Sequence, residues 1–400
     1  MHPEQPLQES VAPEPLHPGH PVQLALVDLG LGGLTDDGLE SRHGRNANWL
    51  GSTPAGRRLF VKRLSGPGGS ERLRRESAFA ALLDRVGPVD LPVPDLVGVD
   101  TERLVTVSVA AEDTHTVAHD LAAWQVEPAL FSRMGRILAA LHALPVDEAE
   151  AAGLRIEPVI EPDVRHFGAI PFDLAAGMSA GMLDFYRLLQ HDAEIVAPFT
   201  RLHEVGPYGR AVVHADMRVD QVLIGPDGEL TVVDWEECRI GDPARDLGAL
   251  VGDVLYATMV SLRRDDEATG TDLEQVTAQA ARRLRDDGLP LVHALHEGYL
   301  DAGGRRGAAF AEQTMRAAGW QLFDRALARA QSHIAFATRD RAAAGIGRRM
   351  LLDPAAAARA LGWTAEDASP APDTAAAVEA TPAVAPSEPA TVEPALEVVR

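Results

Sequence analysis

The chain predicts an α+β protein in which a small strand-rich part precedes a larger, mainly helical part. Three observations carry this. Short β-branched and aromatic runs cluster before residue 110. Long segments of helical periodicity fill the second half. Between them, after residue 210, stand three short strands around tight loops.

The elements follow in order. Residues 48–53 and 57–64 read as paired strands joined at Pro54-Ala55-Gly56, because Pro and Gly punctuate the chain and the second run contains Leu59-Phe60-Val61. Residues 70–85 read as a helix with Leu73, Ala80 and Leu83 on one face. Residues 103–109 (RLVTVSV) are a strand by β-branched content. Residues 131–144 form a helix with Met134, Ile137, Leu138 and Leu141 at helical spacing, stopped by Pro145. Residues 150–210 are mostly helical with Gly and Pro breaks. Residues 211–213, 221–224 and 230–233 are short strands, and 246–361 is helical. The expected organisation is an unstructured segment at 1–20, a strand-rich part at 21–110, a helical part at 111–363 and a disordered acidic tail at 364–400. The first segment holds five prolines; the tail holds seven acidic residues, one arginine and no aromatic anchor.

Composition narrows the function. Of 400 residues, 37 are Lys or Arg and 59 are Asp or Glu, a formal charge of -22, which argues against nucleic acid or an anionic membrane as partner. No apolar run reaches about 18 residues, and the N-terminus lacks the basic start and apolar stretch of a secretory signal, so a cytoplasmic protein is expected. Cys238 is the only cysteine, which excludes a disulfide framework and a Cys-based zinc cluster; it reads as a buried structural thiol. No HExxH, GxGxxG or GxxxxGK[ST] occurs.

The informative stretch runs from Val213-His214-Ala215-Asp216 through Gln221 to Val233-Asp234-Trp235 and Gly241-Asp242-Pro243-Ala244-Arg245-Asp246-Leu247. Asp216 and Gln221 lie five apart across a loop, and Asp234 ends the next strand but one. Phosphoryl transfer needs such a layout: one carboxylate takes the proton of an acceptor hydroxyl, while an amide oxygen and a second carboxylate hold Mg2+ against phosphates. Upstream, Gly44, Asn46 and Asn48 sit at a strand-to-strand turn where small and amide residues let backbone N–H groups approach phosphates, or form an ordinary hairpin. Glu76 shares the inward face of residues 70–85, and an inward carboxylate needs a cation. Lys62 is the candidate; local pairing with Arg72, Arg74 and Arg75 is the alternative. Glu236-Glu237 reads as a solvated turn, or as negative charge for a cationic acceptor.

These motifs resemble the aminoglycoside phosphotransferase-like kinases, whose pattern is H-G-D-x-x-x-x-N, a strand ending I-D-W/F, then G-D-P-x-x-D-L. The resemblance covers about residues 40–330 and implies a two-lobed protein-kinase-like fold with ATP between the lobes. It implies Asp216 as catalytic base, Gln221 and Asp234 as Mg2+ ligands, His214 as positioner of the loop, Asp246 as its brace and Lys62 as the phosphate-contacting lysine. Two departures stand out: Ala215 replaces the usual Gly, and Gln221 the usual Asn. The stretches around RNANW, MRVDQVLI and DWEECRIGDPARDLGAL are similar to the kinases of class V lanthipeptide and thioamitide biosynthesis. That similarity implies a Ser/Thr acceptor on a precursor peptide and a separate lyase as partner. An aminoglycoside or sugar hydroxyl is the alternative acceptor, and a non-catalytic ATP-binding scaffold a further one.

Overall fold

A computed structural model of the chain describes residues 10–11, 16–42, 46–157, 164–260 and 273–363. The tail at 364–400 lies outside the described residues. So does Gly44.

The first part is a six-stranded antiparallel sheet with two helices. Its strands are β1 (Ser10–Val11), β2 (Glu40–Arg42), β3 (Ala47–Ser52), β4 (Arg58–Arg63), β5 (Leu96–Asp100) and β6 (Val105–Val109), in the order β1-β2-β3-β4-β6-β5. The expected hairpin is β3–β4, with Asn48 opposite Lys62 and its turn closed by Gly56 at φ 78°. One face of the sheet buries Trp49, Leu59, Val61, Val105 and Val107 against Val22 and Leu26 of α1 (Pro21–Asp28). Alternation along β4 explains this: Leu59 and Val61 face that core, so Phe60 and Lys62 face the other way. Leu16 is buried and the His20 ring caps α1 at Val22 N–H, 3.2 Å away. These two residues, expected within an unstructured segment, are packed because they complete the α1 side of this core. α2 (Gly69–Val86) lies between β4 and β5 in the chain.

The helical part begins with the short β7 (His115–Thr116), α3 (Val117–Ala123), α4 (Pro128–His142) and α5 (Val146–Ala152), followed by α6 (Phe172–Ala176), α7 (Ala180–Gln190) and α8 (Val196–Thr200). Four strands then carry the loops of interest: β8 (Ala211–Val213), β9 (Val222–Ile224), β10 (Leu230–Val232) and β11 (Arg239–Gly241). β9 pairs with β7 and β10, and β8 with β11. The helices α9 (Ala244–Val260), α10 (Leu273–Arg283), α11 (Leu289–Asp301), α12 (Ala308–Ala330), α13 (Thr338–Leu352) and α14 (Pro354–Ala360) complete it. α9 and α12 approach closely because Gly248 and Gly252 have no side chain. A Cβ at Gly248 would meet Thr314 O at 2.5 Å, and one at Gly252 would meet Gln321 Cβ at 2.5 Å. No helix among the described residues is long and apolar enough to cross a membrane.

Candidate active site

Two segments of the helical part and one strand of the sheet converge. The first segment leaves β8 and turns at His214-Ala215-Asp216. Asp246, fully buried in the first turn of α9, accepts His214 N–H at 2.7 Å on Oδ2 and Ala215 N–H at 2.9 Å on Oδ1. Those bonds hold Ala215 at φ 67°, a left-handed conformation that suits glycine and strains alanine. His142 Nε2 lies 3.3 Å from Asp246 Oδ2. Burial pushes the Asp246 carboxyl up, but His142, His214 and the backbone donors hold it below its usual range. His214 is buried, with Nε2 3.0 Å from Val233 O.

The second segment carries Asp234. Its φ of 72° sends the chain into a single 3-10 turn, Trp235–Glu237. Trp235 stacks on Phe79 of α2 with ring centroids 4.0 Å apart and lies 4.7 Å from the His214 ring. Val233 N–H donates to Gln221 O at 2.9 Å, so Gln221 and Asp234 stand side by side.

Lys62 reaches from β4 into this group. Its Nζ pairs with Asp234 Oδ1 and lies 3.2 Å from Glu236 Oε2. Burial alone would lower the ammonium; Glu76, Asp234 and Glu236 outweigh it and hold Lys62 above its usual range. Burial likewise pushes Asp234 up, and Lys62 brings it below its ordinary value. The expected Lys62–Glu76 pairing is not a direct contact. Glu76 accepts from Thr106 Oγ1 at 3.3 Å, and burial raises its carboxyl although Lys62 is near. The direct partners are Asp234 and Glu236, and Glu236 also accepts from Asn46 Nδ2 at 2.7 Å and pairs with Arg72 Nε at 3.5 Å. Glu237 pairs with Arg75 at 2.8 Å and with Arg239 at 2.5 Å. The Glu236-Glu237 pair is therefore no solvated turn; four cations across three elements fold it inward. Asn48 sits in β3 rather than in the turn, with a buried Oδ1 that has no hydrogen-bond partner.

This geometry has a family. Residues 41–285, more than half of the chain, match the model of the phosphotransferase enzyme family. The chain belongs to that family. It is accordingly an enzyme, a phosphotransferase with an alcohol group as acceptor, on a two-lobed protein-kinase-like fold. Among solved structures it is similar to macrolide 2'-phosphotransferase MphH from Brachybacterium faecium, with 17% identity, TM-score 0.44, 83% of this chain and 97% of that chain covered. A macrolide 2'-phosphotransferase type I gives 19%, 0.47, 79% and 96%. Choline kinase LicA from Streptococcus pneumoniae gives 17%, 0.35, 68% and 89%. No curated protein sequence matches the chain.

Beside the base candidate of this phosphotransferase lies a cavity of about 50 Å3, lined by Asp216, Arg245, Ala249, Trp320, Gln321 and Asp324. Burial pushes the Asp216 carboxyl up to about 6, with Asp234 and Asp324 adding to the rise and Arg218 and His214 opposing it. Arg218, Glu236, Trp320 and Asp324 are the site residues that sequence reasoning missed. Glu236 had a legible signal, an acid two residues past a candidate metal ligand; the cavity residues on α12 had none. Cys238 is a buried free thiol pushed well above its usual range by burial.

Among the described residues no cluster of three or more His, Cys, Asp or Glu is arranged to hold a metal. Gln221 and Asp234 do fit Mg2+, which takes one or two protein oxygens and completes its shell with water and phosphate oxygens. Both oxygens already face cations. Asp234 faces Lys62, and the Gln221 amide, turned with its oxygen toward Arg218, accepts from Nη2 at 2.5 Å.

Proposed function

We propose that the protein is a magnesium-dependent kinase that transfers the γ-phosphoryl of ATP to a hydroxyl of a small molecule seated in the cavity beside Asp216. One observation carries the reading: a buried lysine from the sheet meets, on a single carboxylate-bearing turn, the loop that holds a half-exposed carboxylate at a cavity mouth. In this reading Asp216 orients the acceptor hydroxyl and accepts its proton, for which a pKa of about 6 is apt near neutral pH. Lys62 binds phosphate oxygens. Gln221 and Asp234 hold Mg2+, which when bound neutralises phosphate charge. His214 and Asp246 position the loop, and Asn46 and Asn48 border the phosphate side. The Glu76 carboxylate adds to the field on Lys62 without touching it.

The cavity wall of Trp320, Asp324 and Arg245 combines an aromatic face with charged groups, which suits a compact polar acceptor. The narrower expectation of a precursor-peptide acceptor with a lyase partner rests on sequence likeness, and the cavity lends it no support. A transfer assay read by mass spectrometry decides between them. It offers ATP and Mg2+ with a panel of aminoglycosides, macrolides, amino alcohols and sugars, beside a Ser/Thr-rich precursor peptide. Phosphate on a small molecule, lost in Asp216→Asn, supports the proposal. Phosphate on the peptide alone replaces it, and transfer undiminished in Asp216→Asn refutes the assignment of the base.

A further inference from the structure

Arg218 has no part in the reading above, yet its guanidinium reaches both Asp216 and the Gln221 amide. Its Nη2 lies 3.6 Å from Asp216 Oδ2 and donates to the Gln221 amide oxygen at 2.5 Å. We propose that Arg218 is a further catalytic residue, a cation supplied from within the chain that stabilises the phosphoryl group in transit. The inference rests on the phosphotransferase reading of the site.

The side chain is held for such a task. Arg218 Nε lies 3.3 Å from Asp220 Oδ1, and Arg325 Nη2 lies 3.3 Å from the same oxygen. Arg325 is fixed in turn by Asp253, at 2.7 Å from Nε and 2.9 Å from Nη2. Asp253 is buried, accepts Gln321 Nε2 at 2.8 Å and takes the Val219 N–H at 2.9 Å. The guanidinium of Arg218 is thus tethered at Nε by Asp220 while Nη2 reaches toward Asp216 and Gln221. A purely structural role is poorly motivated, because the loop is already held by Asp246 at residues 214 and 215 and by Asp253 at residue 219. A cation against a base also competes for the lone pair that must receive a proton, a cost that makes chemical sense if the guanidinium turns to the phosphoryl group during reaction.

The step balances without Arg218 changing protonation. The bond between phosphorus and the bridging oxygen breaks, and its electron pair stays on ADP. A bond from the acceptor oxygen to phosphorus forms, and the acceptor proton passes to Asp216. Charge spreads over the three equatorial oxygens, which a planar guanidinium fork can hydrogen-bond in pairs.

The test uses the full chain with Mg·ATP and water as acceptor, and the variants Arg218→Ala and Arg218→Lys. Calorimetry gives affinities for Mg·ADP with and without aluminium fluoride, a mimic of the phosphoryl group in transit. For Arg218→Ala, hydrolysis is expected to fall at least about 100-fold and the fluoride complex to weaken in step, with Mg·ADP affinity within about threefold. Added guanidinium ion restores part of the rate in Arg218→Ala, and Arg218→Lys falls between the two. Hydrolysis within about threefold of the parent enzyme in both variants overturns the inference. So does Mg·ADP affinity that falls as far as the rate, the mark of a merely structural role. A parent enzyme that binds neither Mg·ADP nor its fluoride complex brings down the phosphotransferase reading itself, an outcome distinct from unaffected variants in a working enzyme.

Discussion

Asparagine in place of Asp246 removes a charge and one acceptor at a point with 0% exposure. The carboxylate receives His214 N–H at 2.7 Å and Ala215 N–H at 2.9 Å on separate oxygens. An amide offers one oxygen and one NH2, so whichever way it turns, one backbone N–H faces a donor. The loss is one charge-assisted hydrogen bond, about 1.5–3 kcal/mol, and a buried N–H left without acceptor, about 1–3 kcal/mol. Part of this returns because Ala215, held at φ 67°, sheds some of the roughly 1–2 kcal/mol of left-handed strain once its N–H is released. A net loss of about 3 kcal/mol follows, in line with breaking a buried charge interaction. Urea titration followed by tryptophan fluorescence measures it, since Trp235 packs 4.7 Å from His214. In the same variant kcat falls about 100-fold or more, because the base sits one residue beyond the freed peptide. Mg·ADP affinity stays nearly constant. A stability loss under about 1 kcal/mol with kcat within about threefold of the parent refutes the account of Asp246 as the brace of the loop.

Three further outcomes are expected. Ala215→Gly relieves about 1–2 kcal/mol of strain and gives back about 0.4–1 kcal/mol of unfolded-chain entropy, so the urea midpoint rises slightly; a lower midpoint means that alanine is not strained there. Asp216, raised to about 6 by burial, must be ionised to accept a proton, so log kcat/KM climbs with pH below about 6 at roughly one unit per pH unit and levels above it; a profile flat from about pH 5 to 8 excludes Asp216 as base. Glu236→Gln weakens Mg·ADP binding more than Glu76→Gln does, because Glu236 alone of the two touches Lys62, Asn46 and Arg72; the reverse order restores Glu76 as the partner of Lys62.

Local periodicity made much of the fold legible. The β3–β4 hairpin and α4 follow from alternation, inward faces and the Gly and Pro stops around them, whereas α2 forms where expected but buries Leu73, Ala78, Phe79 and Leu82 rather than the face of Leu73, Ala80 and Leu83. The ordered string from His214 to Asp246 was readable because its members sit at loop ends whose spacing the chemistry restricts. What escaped depends on contacts distant in sequence. Glu236 looked solvated because nothing nearby in the chain tells that Lys62, 174 positions earlier, and Arg72 converge on it. Lys62–Glu76 looked like a pair because helix-face logic brings Glu76 inward but does not fix which carboxylate the lysine touches. Leu16 and His20 were hidden in a proline-rich segment whose composition outweighed the apolar residues that pack beneath the sheet. Trp320 and Asp324 lie on α12, which reads as an ordinary packed helix until α9 is laid against it.

That contact has a further consequence. With no side chain at Gly248 or Gly252, the α9 backbone sits directly on Thr314, Ala318 and Gln321. The helix that braces the Asp216 loop and the helix that walls the cavity beside it therefore behave as one chassis. Shifting the wall as a body would drag the chemistry with it, so selection for a new acceptor has to work by exchanging cavity-lining side chains such as Trp320 and Asp324 on a fixed frame. A lineage built this way can trade one alcohol for another by single substitutions while the reaction it performs on each stays the same.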